Sequence, residues 1–236
     1  MMTLTSQKNL QTFHSDAVPL CLPKGHCLPI EKYTLLRERL QSGGIKHRWK
    51  FCTPNASSDK ELLLVHTESY LKKLEQGKLS LEEQRRIGLP WSPQMMESAR
   101  RSTGSALAAP RTALTDGARA QTAVETQHAF ADHSQGCCMF NDVAVAASVW
   151  QSDRFIRSTV VIDLDVHQGN ASTYISPATR WCSLSERVGN KTFRSQSIIG
   201  TWMSNCPGEP LTVCVWRSCQ ICWTVCPCQR STVSST

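Results

Sequence analysis

Apolar and polar positions change period several times along the chain, and each change predicts an element. In PIEKYTLLRERL, Leu35, Leu36 and Leu40 recur at helical spacing, and Gly43-Gly44 stops the helix. IKHRWKFC reads as a short strand before the Pro/Asn/Ser loop TPNASSD. The segment KELLLVHTESYLKKLEQ is helical, with Asp59 as its cap and a break near His66. A lone histidine on an apolar helix face is more often a satisfied core group than a ligand, and His66 is read that way. Ser80 with Glu83 makes a capping box for LEEQRR. Ser92-Pro93 opens a further helix, because proline is tolerated at the first helical position. Its stripe of Met95, Met96, Ala99, Thr103, Ala106 and Leu107 runs to Pro110 and predicts core. VAVAASVW is again helix-like, and the period then drops to two in STVVIDLDVHQGN, residues 158–170.

In that last stretch side chains two apart share a face of a strand. Asp163, Asp165 and His167 line one face, and Val160, Ile162, Leu164 and Val166 the other. Polar groups at the C-terminal end of an apolar strand sit where open α/β sheets place ligands. Aspartate with histidine suits a zinc ion that keeps one position open. The alternative is a strand end running into a polar turn with solvated acids.

Composition changes the picture in two ways. The net charge of +7 comes from basic residues interleaved with acids, as in EKYTLLRERL, so it predicts solvated helix faces and no nucleic-acid patch. No apolar run approaches the roughly 18 residues of a membrane span, and MMTLTSQKNLQTFHSD lacks an apolar signal core. The expectation is an intracellular protein, cytoplasmic or nuclear, neither secreted nor in a membrane. Cysteine and tryptophan are lopsided. Of 12 cysteines, Cys182, Cys206, Cys214, Cys219, Cys222, Cys226 and Cys228 lie late, with Trp181, Trp202, Trp216 and Trp223 among the seven tryptophans. A shift of this size within one domain is unusual. It divides the chain into residues 1–178 and a Cys/Trp/Ser-rich tail, 179–236.

Residues 127–142 read QHAFADHSQGCCMFND. Together with DLDVHQGN this stretch resembles the zinc-dependent histone deacetylase family, with its His-His-Ala block, G-F-C-x-F-N-D and D-L-D-V-H-x-G-N/D-G. LPKGHCLPIEKYTLLRERL, VHTESYLKKL and RRIGLPWSPQMMESARRSTGS resemble the amino-terminal half of its bacterial and class IV-like members. The resemblance implies an α/β fold of the arginase/deacetylase type: an open, mostly parallel sheet with helices on both faces, here incomplete. The strand STVVIDLD is expected near the middle of that sheet, with missing neighbours that leave an exposed edge and an aggregation hazard.

The same resemblance assigns roles. Asp165 and His167 are two of three Zn2+ ligands, and His128 is the general base towards the attacking water. Asp163 lies behind Gln127 and, with the Asp165 backbone, helps hold a K+ ion. Asn170 orients His128. The substrate it implies is an acetylated lysine of a histone or another protein. Departures from the pattern bear on activity. Gln127 stands where the family has its first histidine and cannot carry a proton charge near neutral pH. Val124-Glu125 replaces a pair of glycines. Cys137 replaces an aromatic wall residue, while Cys138 matches a cysteine read as small, buried and inert. Ala171 replaces a glycine, which is expected to strain the loop. The third ligand, an Asp, and a transition-state-stabilising Tyr come from the carboxy-terminal half of the family domain, and residues 179–236 match neither.

A shifted reading frame connects these facts. Back-translated from Thr192 and read out of frame, the tail yields LPFAKYHRNVDVELPRGTTDCV under permitted codons, followed by Cys or Arg and LEELSNLLD. That string resembles the family's continuation in its first two ordered elements. A competing reading is a zinc module on Cys219, Cys222, Cys226 and Cys228, but only three residues separate its two halves, short of the ~12 such sites use. Three functions therefore compete: a zinc-dependent deacetylase, a non-catalytic deacetylase-like pseudoenzyme, and a non-functional fragment. Oligomeric state is not legible.

Overall fold

The computed structural model describes residues 10–14, 16–18, 20, 22–26, 28–43, 49–116, 119–122, 128–154, 159–163, 170–175, 181–185, 211–216 and 225–228. The chain alternates strands and helices: β1 (Leu10–His14), α1 (Glu31–Ser42), β2 (Trp49–Cys52), α2 (Asp59–Leu62), α3 (Glu68–Glu75), α4 (Leu81–Ile87) and α5 (Pro93–Asp116). It continues with β3 (Ala120–Thr122), α6 (Asp142–Ser152), β4 (Thr159–Asp163), α7 (Asn170–Ile175), β5 (Trp181–Ser185), β6 (Leu211–Trp216) and β7 (Val225–Cys228). Strands β2-β1-β3 form one sheet, parallel throughout, and β5-β4-β6-β7 a second in which only β7 runs antiparallel. Parallel neighbours need a crossover, and α1 supplies the one between β1 and β2. The expected α/β architecture with a mostly parallel sheet is present, divided here into two small sheets.

The core lies where α5 and α6 meet the first sheet and the short helices. Leu62, Leu74, Ile87, Ala106, Phe140, Val145 and Val161 are buried together there. The stripe on α5 is core as expected: Met95, Met96, Thr103, Ala106 and Leu107 are all buried. Helix α6 is buried almost all round, so its apolar run VAVAASVW has no polar face. Its first residue, Asp142, is also fully buried and accepts Ser102 Oγ at 2.7 Å and Thr103 Oγ1 at 2.6 Å from α5.

Several local readings hold. The Ser80/Glu83 capping box is complete, and Ser92 Oγ accepts the Met95 N–H at 3.1 Å at the start of α5. The break near His66 is real, and Thr67 caps the helix that follows. Four others need correction. The cap before α2 is Ser58, in a capping box with Glu61, while Asp59 inside the first turn pairs with Arg100 at 2.5 Å. Helix α5 continues through Pro110 to Asp116, since proline's fixed φ is itself helical and only one backbone hydrogen bond is lost. On α1 the buried residue is Tyr33, and Leu35 is 61% exposed. Finally, β4 is interior but not left open: β5 and β6 pair with it on both sides, so residues after 180 fill the places expected to be empty. Among the described residues no helix is long and apolar enough to cross a membrane.

Candidate functional site

The site is built on the segment that follows β3, where His128 stands half-buried. Three consecutive carbonyls after it are held in place. Ala129 O accepts Asn141 Nδ2 at 3.2 Å, Phe130 O accepts His66 Nδ1 at 3.0 Å, and Ala131 O accepts the Thr67 N–H at 2.8 Å. Extended backbone without a neighbouring strand needs such partners when buried. His66 accepts the Asn141 N–H on Nε2 at 3.1 Å, so both ring nitrogens are occupied by backbone. Burial pushes its pKa down to about 4, against the smaller upward pull of its Phe130 and Ala131 backbone bonds. His66 is thus a neutral core group, as its helical context suggested.

The opposite wall is the turn at 135–138. Gln135 and Cys138 form an antiparallel bridge, and the Gly136 and Cys137 N–H groups donate to Arg86 O and Ile87 O at 3.3 and 2.7 Å. Gly136 has φ +57, and a Cβ there would sit 3.7 Å from His128 Cδ2, so the glycine backbone lies directly against the imidazole. Cys137 follows with φ 65, a left-handed conformation that costs a residue with a Cβ about 1–2 kcal/mol. Cys138 is fully buried and its thiol donates to Gly136 O at 3.3 Å, as a small inert side chain should. Below the turn, the Tyr70 hydroxyl donates to Met139 O at 2.7 Å and contacts Ser134 Oγ; burial raises its pKa.

Asn141 joins this region to α7. Its side chain caps α6 through the Ala144 N–H at 3.0 Å, and its Nδ2 lies 3.1 Å from Ser172 Oγ. Phe130 also meets Tyr174 of α7 at 5.6 Å between ring centroids. The segment next to His128 and the helix that begins at Asn170 are therefore in contact. Asn170 itself is exposed, and its Oδ1 accepts the Ala171 N–H at 2.9 Å. Ala171 is buried within α7 and has no left-handed φ, while the loop it was expected to strain lies outside the described residues.

Asp163 ends β4. Gln127, Asp165 and His167 fall outside the described residues, as do Val124 and Glu125. A carboxylate and an imidazole two residues apart suit zinc chemically. Among the described residues no group of three or more His, Cys, Asp or Glu is placed to hold a metal ion. Sequence reasoning missed Asn141 and the use of His66 as props for the His128 segment. The available signal was their place in VHTESY and MFND, which periodicity cannot interpret.

The chain matches the histone deacetylase domain model over residues 26–180. It is 33% identical over 163 residues to an uncharacterized protein of Picosynechococcus, covering 69% of this chain and 54% of that protein. It is 30% identical over 158 residues to a histone deacetylase-like amidohydrolase of Pseudomonas aeruginosa, covering 64% and 40%. A human polyamine deacetylase is 26% identical over 154 residues, covering 61% and 23%. The fold is similar to that of the crystal structure of a histone deacetylase homologue from Aquifex aeolicus, with TM-score 0.58 and 20% identity over 75% of this chain and 50% of that one. The chain spans about half or less of the length of curated relatives it matches, 54%, 40% and 49% for three of them.

Proposed function

The chain belongs to the histone deacetylase family, and from that premise we propose a zinc-dependent hydrolase that removes acetyl groups from lysine side chains. The observation that carries this is the span of the family match. Residues 26–180 contain all six candidate positions: Gln127, His128, Asp163, Asp165, His167 and Asn170. Asp165 and His167 would hold Zn2+, and Asp163 with the Asp165 backbone would hold K+. When bound, zinc polarises an amide carbonyl and lowers the pKa of water. His128 takes the proton of the attacking water, with Gly136 against one edge of its ring and Asn170 orienting it. Gln127 donates and accepts hydrogen bonds there but holds no proton.

The test is zinc content of the purified chain together with hydrolysis of an acetyl-lysine peptide. About one zinc per chain, with turnover lost in His128→Ala and raised in Gln127→His, is the expected result. Zinc-free protein without turnover points to the second reading, a non-catalytic member of the family. That reading is favoured by Gln127 and by the lack of a third ligand match in residues 179–236. A tail translated out of frame would favour that second reading further; transcript sequence across codon 178 that supports the tail in frame removes this support.

A further inference from the structure

A cavity of about 380 Å³ opens between α1, the segment after β1 and Ser98 near the start of α5. Its volume falls within the range of small-ligand pockets. Val18, Leu20, Ile30, Tyr33 and Leu35 make its apolar wall, and Asp16, Glu31 and Glu38 bring carboxylates. None of these belongs to the His128 site.

Asp16 is already satisfied. Its carboxylate takes Arg37 Nε at 2.8 Å, His14 Nδ1 at 2.5 Å and Thr34 Oγ1 at 3.2 Å. Burial alone raises its pKa, but the bonds from Arg37 and His14 outweigh that and hold it below the usual aspartate value. Glu31 and Glu38 differ. They lie two turns apart on α1, both exposed, on either side of Leu35. Among the described residues, two of the neighbouring cations are engaged elsewhere, Arg37 with Asp16 and Lys32 over the Tyr33 ring at 4.9 Å. Two carboxylates therefore bracket a leucine that is 61% exposed, at the mouth of an apolar cavity, on a chain whose net charge is +7.

We propose that this cavity takes the alkyl stem of a primary aliphatic ammonium group, with Glu31 and Glu38 receiving its charge. The apolar wall covers methylenes while the ammonium stays at the wet rim, and its three donors suit carboxylate acceptors. Two sources supply that chemistry: a free alkylamine, or an unacetylated lysine side chain of a basic peptide. The lysine source rests on the deacetylase reading above; the alkylammonium preference does not.

The experiment is calorimetric titration of the full chain, without added metal, using hexylamine, hexanoate and an unacetylated oligolysine peptide. Hexylamine is expected to bind at least tenfold more tightly than hexanoate. The double substitution Glu31→Gln/Glu38→Gln should weaken hexylamine at least tenfold without altering the circular dichroism melt, both residues being exposed. Peptide binding with the same glutamate dependence identifies substrate lysine as the source, and hexylamine binding alone identifies free amines. No hexylamine binding, equal binding of hexanoate, or indifference to the double substitution overturns the assignment. Loss of acetyl-lysine turnover tests the catalytic reading separately and leaves this one standing.

Discussion

His66 accepts the backbone N–H of Asn141 on Nε2, 3.1 Å away and 75 residues along the chain. With Nδ1 donating to Phe130 O, the ring is fixed in one neutral tautomer, and a proton on Nε2 has no acceptor. The pKa of about 4 lies below the ordinary 6.5, and burial is the main cause. The unfolded chain therefore binds this proton first. The stabilisation is complete above pH 6.5 and is lost as pH falls towards 4, by roughly 3 kcal/mol in all. Urea midpoints measured between pH 7 and pH 5, above the range of the carboxylates, should fall with pH. His66→Phe should be less stable at pH 7 but flat across that window. An unchanged slope in the variant would show that another group is responsible.

Asp142 joins α6 to α5 through Ser102 and Thr103, all three buried. Removing the carboxylate deprives two buried hydroxyls of an acceptor, with Thr103 keeping the Ala99 carbonyl at 3.2 Å, and an unsatisfied buried donor costs about 1–3 kcal/mol. Asp142→Ala is expected to cost about 2–4 kcal/mol in denaturant unfolding. Combining it with Thr103→Val should cost less than the sum of the two, because they share one network. Strict additivity would count against a shared network.

At Ser80 the capping box is complete: its Oγ takes the Glu83 N–H at 3.2 Å, and Glu83 Oε2 takes the Ser80 N–H at 2.7 Å. Lys73 also reaches Glu83, at 2.7 Å, and these contacts bring its pKa down to about 2, Lys73 first. Ser80→Ala should cost about 1 kcal/mol. The Glu83 contribution is present above pH 4.5 and fades as pH falls towards 2, so the cost of Glu83→Ala, which removes the acceptor of the Ser80 N–H, should shrink at pH 2.5. The same loss at pH 7 and pH 2.5 would argue against the reciprocal bond.

The strongly periodic or capped segments were legible from sequence alone: the α5 stripe, the cap at Ser80, and His66 as core. Strands β1 and β3 were not. LQTFH and AQT are three to five residues long and show no clean alternation, so only their parallel pairing defines them. The cap at Ser58 was missed by one position because Ser and Asp at 58 and 59 are both good capping residues, and Glu61 decides between them. Leu35 follows the helical spacing yet faces the cavity mouth, where periodicity cannot distinguish core from an open pocket. At the site, the family resemblance pointed to His128. The three carbonyl bonds that position its segment come from His66, Thr67 and Asn141, at separations no local pattern encodes.

Gly104 sits inside α5, where helix propensity favours alanine over glycine by about 1 kcal/mol. Geometry opposes that preference. A Cβ at Gly104 would fall 1.8 Å from Asn55 O and 3.0 Å from Asn55 C, both backbone atoms without freedom to swing aside. The 54–57 loop is tied to α5 on both sides of this contact, by the Ser57 N–H to Arg100 O at 2.9 Å and Arg101 Nη1 to Pro54 O at 2.9 Å. Relief therefore requires breaking those bonds or shifting the helix. Overpacking of this kind costs about 1–3 kcal/mol or more and outweighs the propensity gain. Gly104→Ala is expected to lower the urea midpoint, and Arg101→Ala in the same background should recover part of the loss by loosening the loop. A Gly104→Ala protein about 1 kcal/mol more stable than the parent would mean that the helix and loop do not touch here.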